Sequence, residues 1–403
     1  MQNSHHKIVI ILIAVFTILQ LIVLLVFGYT PYPDSNGYIE LAKECIDRND
    51  LYPMVSRLND YYFLWNVGAI NAVVFSLKMF NSVLPLLIVY CLMKGFTAFF
   101  IHQITKTIFT EKIAFITLIL YIIYPANYGE GTSTHSELPF IFFTLLGLWL
   151  SITKKQVFAG GMSLAFANWF RPMGIVFLIS LMIYLFINKK QIWKPLVGYI
   201  SMILVIGSLS YIRTGLFIYQ AKTGWMALTD YSTSHATASL AIGENSHLNI
   251  SEKDTEWKKL FFEWLKDHPK EYMMQMPRKL INTYVSDNVN MCVFLPDKAE
   301  KEYMYEELSM KTLFPHFPHY SSIQWLTILN LLYYYTILLT ALLSIKYFNK
   351  NTFLLPISII SLGTLILLFV GHGEARFHIP LMPFFLILSV LFINQLLWKE
   401  YNG

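Results

Sequence analysis

Apolar residues in this chain gather into long runs rather than the strict alternation of a half-buried strand. Ile8 to Gly28 carries no charge, and about 20 such residues in a helix cross a bilayer core about 30 Å thick. Further runs cover 83–104, 112–126, 137–153, 157–170, 172–188, 195–212, 323–345, 353–371 and 379–398, so ten spans are predicted. Several are short, which is tolerated where a helix is buried by neighbours or lines a cavity. The first run ends in Phe27-Gly28-Tyr29-Thr30-Pro31 with no small-residue cleavage site, and reads as a retained anchor.

Segment 61–80 is apolar enough to span yet carries Asn66, Asn71 and Lys78. If it lies along the interface as an amphipathic helix, ten spans put eleven lysines on one side: Lys7, Lys106, Lys112, Lys154, Lys155, Lys189, Lys190, Lys194, Lys346, Lys350 and Lys399. If it spans, nearly all of them move outside. The positive-inside rule favours the first arrangement, with both termini cytoplasmic. The segment between Lys155 and Lys189 is then a helical hairpin whose tip, Trp169-Phe170-Arg171-Pro172, faces outward. The long polar segments 29–60, 127–136 and 213–322 share that outer side. The expected organisation is a membrane module over 1–212 with a first outer loop at 29–82, a large outer loop at 213–322, and C-terminal membrane helices over 323–403. Two amphipathic helical patterns, Glu252 to Lys266 and Pro269 to Tyr284, fall within that large loop.

Composition agrees with an all-α polytopic membrane protein: 55% hydrophobic, 14% charged, mean hydropathy +0.49. Its net charge of +5 comes from a basic inner face, where the eleven lysines meet only Glu111 and Glu400; it is a topology signal and points to no nucleic-acid partner, membrane lipids being the surroundings expected of such a chain. Three cysteines without metal-like spacing indicate neither a disulfide framework nor a zinc site, and no phosphate-binding glycine loop occurs.

The chemistry-bearing residues fall on the outer side. Asp34 follows the first span and heads an amphipathic stretch, where it equally suits a helix N-cap. Arg171 sits at the hairpin tip, and His372, Glu374 and Arg376 lie in the turn before the last span. An arginine near an interface commonly only snorkels, but two of them converging with acids suit phosphate binding. The stretch Glu130 to Glu137 adds two more acids, and Lys94 lies inside a span, where a charge is costly and indicates a cavity or snorkelling.

Tyr-Pro-Asp34 with Tyr38, Leu41 and Ala42 resembles the first outer loop of the GT-C glycosyltransferase superfamily, in the branch related to protein O-mannosyltransferases and lipid A aminoarabinose transferases. The interfacial segment 61–80, Ser136-Glu137-Leu138-Pro139-Phe140, Gly160-Gly161 to Arg171-Pro172, His268-Pro269, Arg278-Lys279-Leu280 and Glu374 to Pro380 follow in the family's order. The resemblance implies an enzyme of the cell envelope, in the plasma membrane. It would transfer a sugar from a polyprenyl-phosphate-linked donor to a hydroxyl of a lipid, glycan or protein acceptor outside the cytoplasm, with inversion. Asp34 would be the general base; Arg376, Arg171 and Lys94 would hold the lipid phosphate; Tyr38, Glu137, Glu374 and His372 would shape the sugar or acceptor pocket. The family often has a second acid close after the first, where this chain has Ser35 and Asn36. A lipid monophosphate donor needs no divalent ion, so no cofactor and metal independence are expected. Two other readings stay open: a transporter or flippase of polyprenyl-linked glycans, or a scaffold of the same fold without activity.

Overall fold

A computed structural model describes residues 2–31, 33–52, 65–245, 247–295, 308–309, 313, 315, 318–347, 353–371 and 373–398. Among these every regular element is a helix. The chain begins with α1 (Gln2–Phe27), followed by α2 (Pro33–Asp47), α3 (Val67–Phe80), α4 (Leu84–Ile108) and α5 (Glu111–Ile123). After two 3-10 turns, α6 (Glu137–Ile152), α7 (Val157–Ala167), α8 (Gly174–Ile187) and α9 (Trp193–Thr214) follow. Shorter helices come next: α10 (Gly224–Ser232), α11 (Ala236–Glu244), α12 (Ile250–Asp267), α13 (Pro269–Met274) and α14 (Met276–Tyr284). The last three are α15 (Ser322–Ser344), α16 (Leu354–Phe369) and α17 (Met382–Trp398).

Among the described residues, five helical stretches are long and apolar enough to cross a membrane: His5–Phe27, Leu84–Ile108, Trp193–Thr214, Ser322–Tyr347 and Ala375–Leu397. A sixth results if Glu111–Ile123 and Pro125–Thr132, bent by 68°, count as one broken span. The remaining predicted spans coincide with shorter apolar helices, Glu137–Ile152, Val157–Ala167, Gly174–Ile187 and Leu354–Phe369. At 1.5 Å per residue the 11 residues of α7 reach only about 16 Å, roughly half a bilayer core. Ten full spans therefore go beyond what helix length alone gives. The segment expected at the interface is helical from Val67 to Phe80, and residues 61–64 of that expectation lie outside the described residues.

The bundle is held by close helix contacts and interdigitated aromatics. Helix α7 packs between α6 and α9, α15 packs along α17, and α4 contacts α1, α5 and α6. The α7/α9 approach needs glycine: a Cβ on Gly161 would lie 2.0 Å from the Pro195 carbonyl oxygen, and one on Gly198 would lie 2.1 Å from that of Phe158. Small residues at facing positions are what allow apolar helices to gain dispersion contacts where water supplies no driving force. The opposite faces of α1 and α9 expose Ile11, Ile18, Leu25, Leu204, Leu209 and Ile212, as lipid-facing helices do. Within the expected outer loop, α12 opens with a reciprocal cap: Asn249 accepts from the Glu252 amide while the Glu252 carboxylate accepts from the Asn249 amide.

Candidate functional site

The first turn of α2 is tied down by its neighbours. The Thr30 amide donates to the Thr132 carbonyl at 2.8 Å, and the hydroxyls of Ser35 and Ser133 lie 3.2 Å apart. These contacts lay the start of α2 against the 130–136 loop. Asp34 lies inside the first turn of α2, with Pro33 as the helix's first residue, so it is not the cap that its position in the sequence equally allows. Its Oδ2 instead accepts a hydrogen bond from the Arg376 guanidinium at 2.6 Å, joining residues 342 positions apart.

Arg376 is carried by the 3-10 turn Ala375–Leu381, which leads into α17. Its Nε lies 2.5 Å from Glu374 Oε1 and 3.8 Å from Glu137 Oε1. Glu137 is the first residue of α6, and its Oε1 also forms a close ion pair with Arg171 at the hairpin tip. The Phe377 ring lies against both arginines, with guanidinium carbons 4.9 Å and 5.9 Å from its centroid. Two guanidiniums and three carboxylates thus meet where four distant parts of the chain converge.

They border a cavity of about 260 Å³. Asp34, Tyr38, Trp65, Asn66, Ser136, Arg171 and Arg376 form its polar wall, while Met173, Met226, Ile366, Leu367 and Val370 form an apolar one. α10 and the preceding Thr223 border one side, through Thr223, Gly224, Ala227 and Tyr231. Gly37 lets the Trp65 ring approach α2, since a Cβ there would fall 2.1 Å from two of its ring carbons. The Tyr38 hydroxyl accepts from Asn66 Nδ2 at 3.1 Å; burial, with Asp34 adding to it, pushes that phenol up to about 12, so Tyr38 stays neutral. His135, behind the wall, is held below the ordinary imidazole range by burial. Arrayed together, the two cations suit an oxyanion, and Asp34 retains a second oxygen for accepting a proton.

Of the residues singled out from sequence, Asp34, Tyr38, Arg171 and Arg376 line this cavity, and Glu374 pairs with Arg376. Glu137 is not on the cavity wall but behind the arginines, beside a small hollow shared with His135 and Asn290. Lys94 is elsewhere: its Nζ lies 2.6 Å from Glu130 Oε2 and 3.0 Å from Asn127 Oδ1, over the Tyr121 ring. The reason is electrostatic, since a cation buried inside a bundle needs a counter-charge, and Glu130 supplies it. His372 lies outside the described residues. Sequence reasoning missed Trp65, Asn66 and Tyr231 as cavity residues, and Phe377 as the ring between the arginines. Two of them had a signal: Phe377 is adjacent to Arg376, and Asn66 is a polar residue in an otherwise apolar segment. Among the described residues no group of three or more His, Cys, Asp or Glu is placed to hold a metal ion.

Fold and site define a protein that is all-helical among the described residues, consistent with an integral membrane protein, and that carries a charged and partly apolar cavity. No protein-family model, curated protein or solved structure matches the chain.

Proposed function

We propose that the protein is a GT-C-type membrane glycosyltransferase with about ten spans, both termini in the cytoplasm of a plasma-membrane protein, and its cavity on the extracytoplasmic face. The donor is a sugar linked to a polyprenyl phosphate, and the acceptor is a hydroxyl of a lipid, glycan or protein. The single observation that carries this reading is the 2.6 Å contact of Asp34 with Arg376 at a cavity that Arg171 also lines. A base and two phosphate-binding cations at one cavity are what inverting transfer from a lipid phosphate needs. The acceptor oxygen attacks the anomeric carbon and its proton passes to Asp34. The bond from that carbon to the phosphate oxygen breaks, and the charge left on the lipid phosphate is met by Arg376 and Arg171. The apolar wall around Met226, Leu367 and Val370 suits the prenyl end of such a donor.

The test is sugar transfer by the purified protein from a polyprenyl-phosphate sugar. Asp34→Asn is expected to lower kcat by about 100-fold or more while leaving the melting temperature unchanged. An undiminished rate in that variant removes Asp34 as the base.

A further inference from the structure

Glu137 differs from the other two acids of the cluster in where it sits. Asp34 and Glu374 have side chains about one third exposed (34% and 36%), whereas that of Glu137 is 3% exposed. Its Oε1 faces Arg171 and Arg376 together, and the Ser136 hydroxyl donates to Oε2 at 3.4 Å. It does not border the cavity, yet both arginines do. Two guanidiniums gathered against one aromatic ring repel each other, and a buried carboxylate between them offsets that repulsion. The first turn of α6 adds the positive end of a helix, which favours an anion at that point.

We infer that Glu137 is the positioning residue of an anion site formed by Arg171 and Arg376. It holds the two guanidiniums from behind so that both present donors to one phosphate group at the cavity. This deepens the proposed function and rests on it, since the phosphate is that of the lipid-linked donor. The two exposed acids play a different part. An arriving phosphate displaces Glu374 or Asp34 from Arg376, because those carboxylates can turn into water, whereas Glu137 has no such path and stays. Asp34, once released from Arg376, is available to the acceptor hydroxyl.

Binding of a polyprenyl monophosphate to the purified full-length protein, with the corresponding polyprenol as the neutral control, tests this separately from turnover. Wild type is expected to bind the phosphate far more tightly than the alcohol. Glu137→Gln is expected to weaken phosphate binding by about tenfold or more and to leave polyprenol binding unchanged, because a charged contact to each guanidinium is lost. Glu137→Asp, which keeps the buried charge and hence the fold, is expected to fall between the two. Asp34→Asn is expected to bind the phosphate at least as tightly as wild type, since it no longer competes for Arg376. Unchanged phosphate affinity in folded Glu137→Gln, or in Glu137→Asp should the first variant not fold, overturns the positioning role and leaves the transferase reading intact. Wild type that does not distinguish the phosphate from the alcohol overturns the donor reading, and with it this inference.

Discussion

Lys94 illustrates how a single side chain changes meaning between sequence and structure. From sequence it is a cation in an apolar span, consistent with holding a phosphate. Folded, it is buried against Glu130 and Asn127 and its charge is already matched. Lys94→Ala strands the Glu130 carboxylate in the interior, so a loss of about 3–5 kcal/mol in stability is expected, with the donor KM of the surviving folded protein unchanged. Thermal unfolding in detergent and steady-state kinetics measure the two. Asp287 is a buried acid that sequence patterns did not flag, because it lies in an ordinary polar stretch. It accepts from the Tyr124 hydroxyl and lies 3.7 Å from His378 Nε2, and burial pushes its carboxyl up to about 8. The folded chain then keeps a proton on Asp287 that the unfolded chain releases above its ordinary value of about 4. This group consequently costs stability progressively as pH rises from about 4 to about 8, and the cost is constant above that. Asp287→Asn removes the titration, so the melting temperature of the variant relative to wild type is expected to rise between pH 5 and pH 8, by roughly 2 °C or more. An equal difference at both pH values argues against a retained proton.

Helices were the most legible elements, since long apolar runs need only their own backbone hydrogen bonds to satisfy the chain in an apolar medium. The runs at 8–28, 83–104, 195–212, 323–345 and 379–398 each meet a helix of membrane length. The amphipathic pattern at Glu252 to Lys266 lies within α12, while the one at Pro269 to Tyr284 divides into α13 and α14. Helix length was less legible than helix position. The run 157–170 contains a helix of only 11 residues, ended at Ala167 before the tight turn that carries Arg171. That short helix is pressed against α9 at Gly161, and the closeness is testable. Gly161→Ala is expected to lower stability by about 1–3 kcal/mol, because the new methyl meets a backbone carbonyl that cannot rotate away. An unchanged melting temperature in detergent means that α7 and α9 stand farther apart.

Sidedness belongs to the whole chain. The eleven lysines fall on one face only if 61–80 lies along the membrane, and the expected consequence is an extracytoplasmic reading from a reporter at residue 240 and a cytoplasmic one from a reporter at residue 403. The reverse result makes that segment a span. By itself, the sequence determined an apolar helical protein, and it picked out the charged residues Asp34, Glu137, Arg171, Glu374 and Arg376 that meet beside the cavity. Those features are local: an apolar run needs no distant partner to be recognised, and a charge beside such a run is conspicuous because burying it is costly. Only the tertiary structure decided which charges pair. Nothing within either segment tells that Asp34 meets Arg376, that Glu137 stands behind two arginines rather than on the cavity wall, or that Lys94 belongs to Glu130. Partners separated by up to 342 residues are chosen by how the helices pack, and at contact distances in a poorly solvated interior that choice sets whether a charge is free for a ligand or spent on a neighbour.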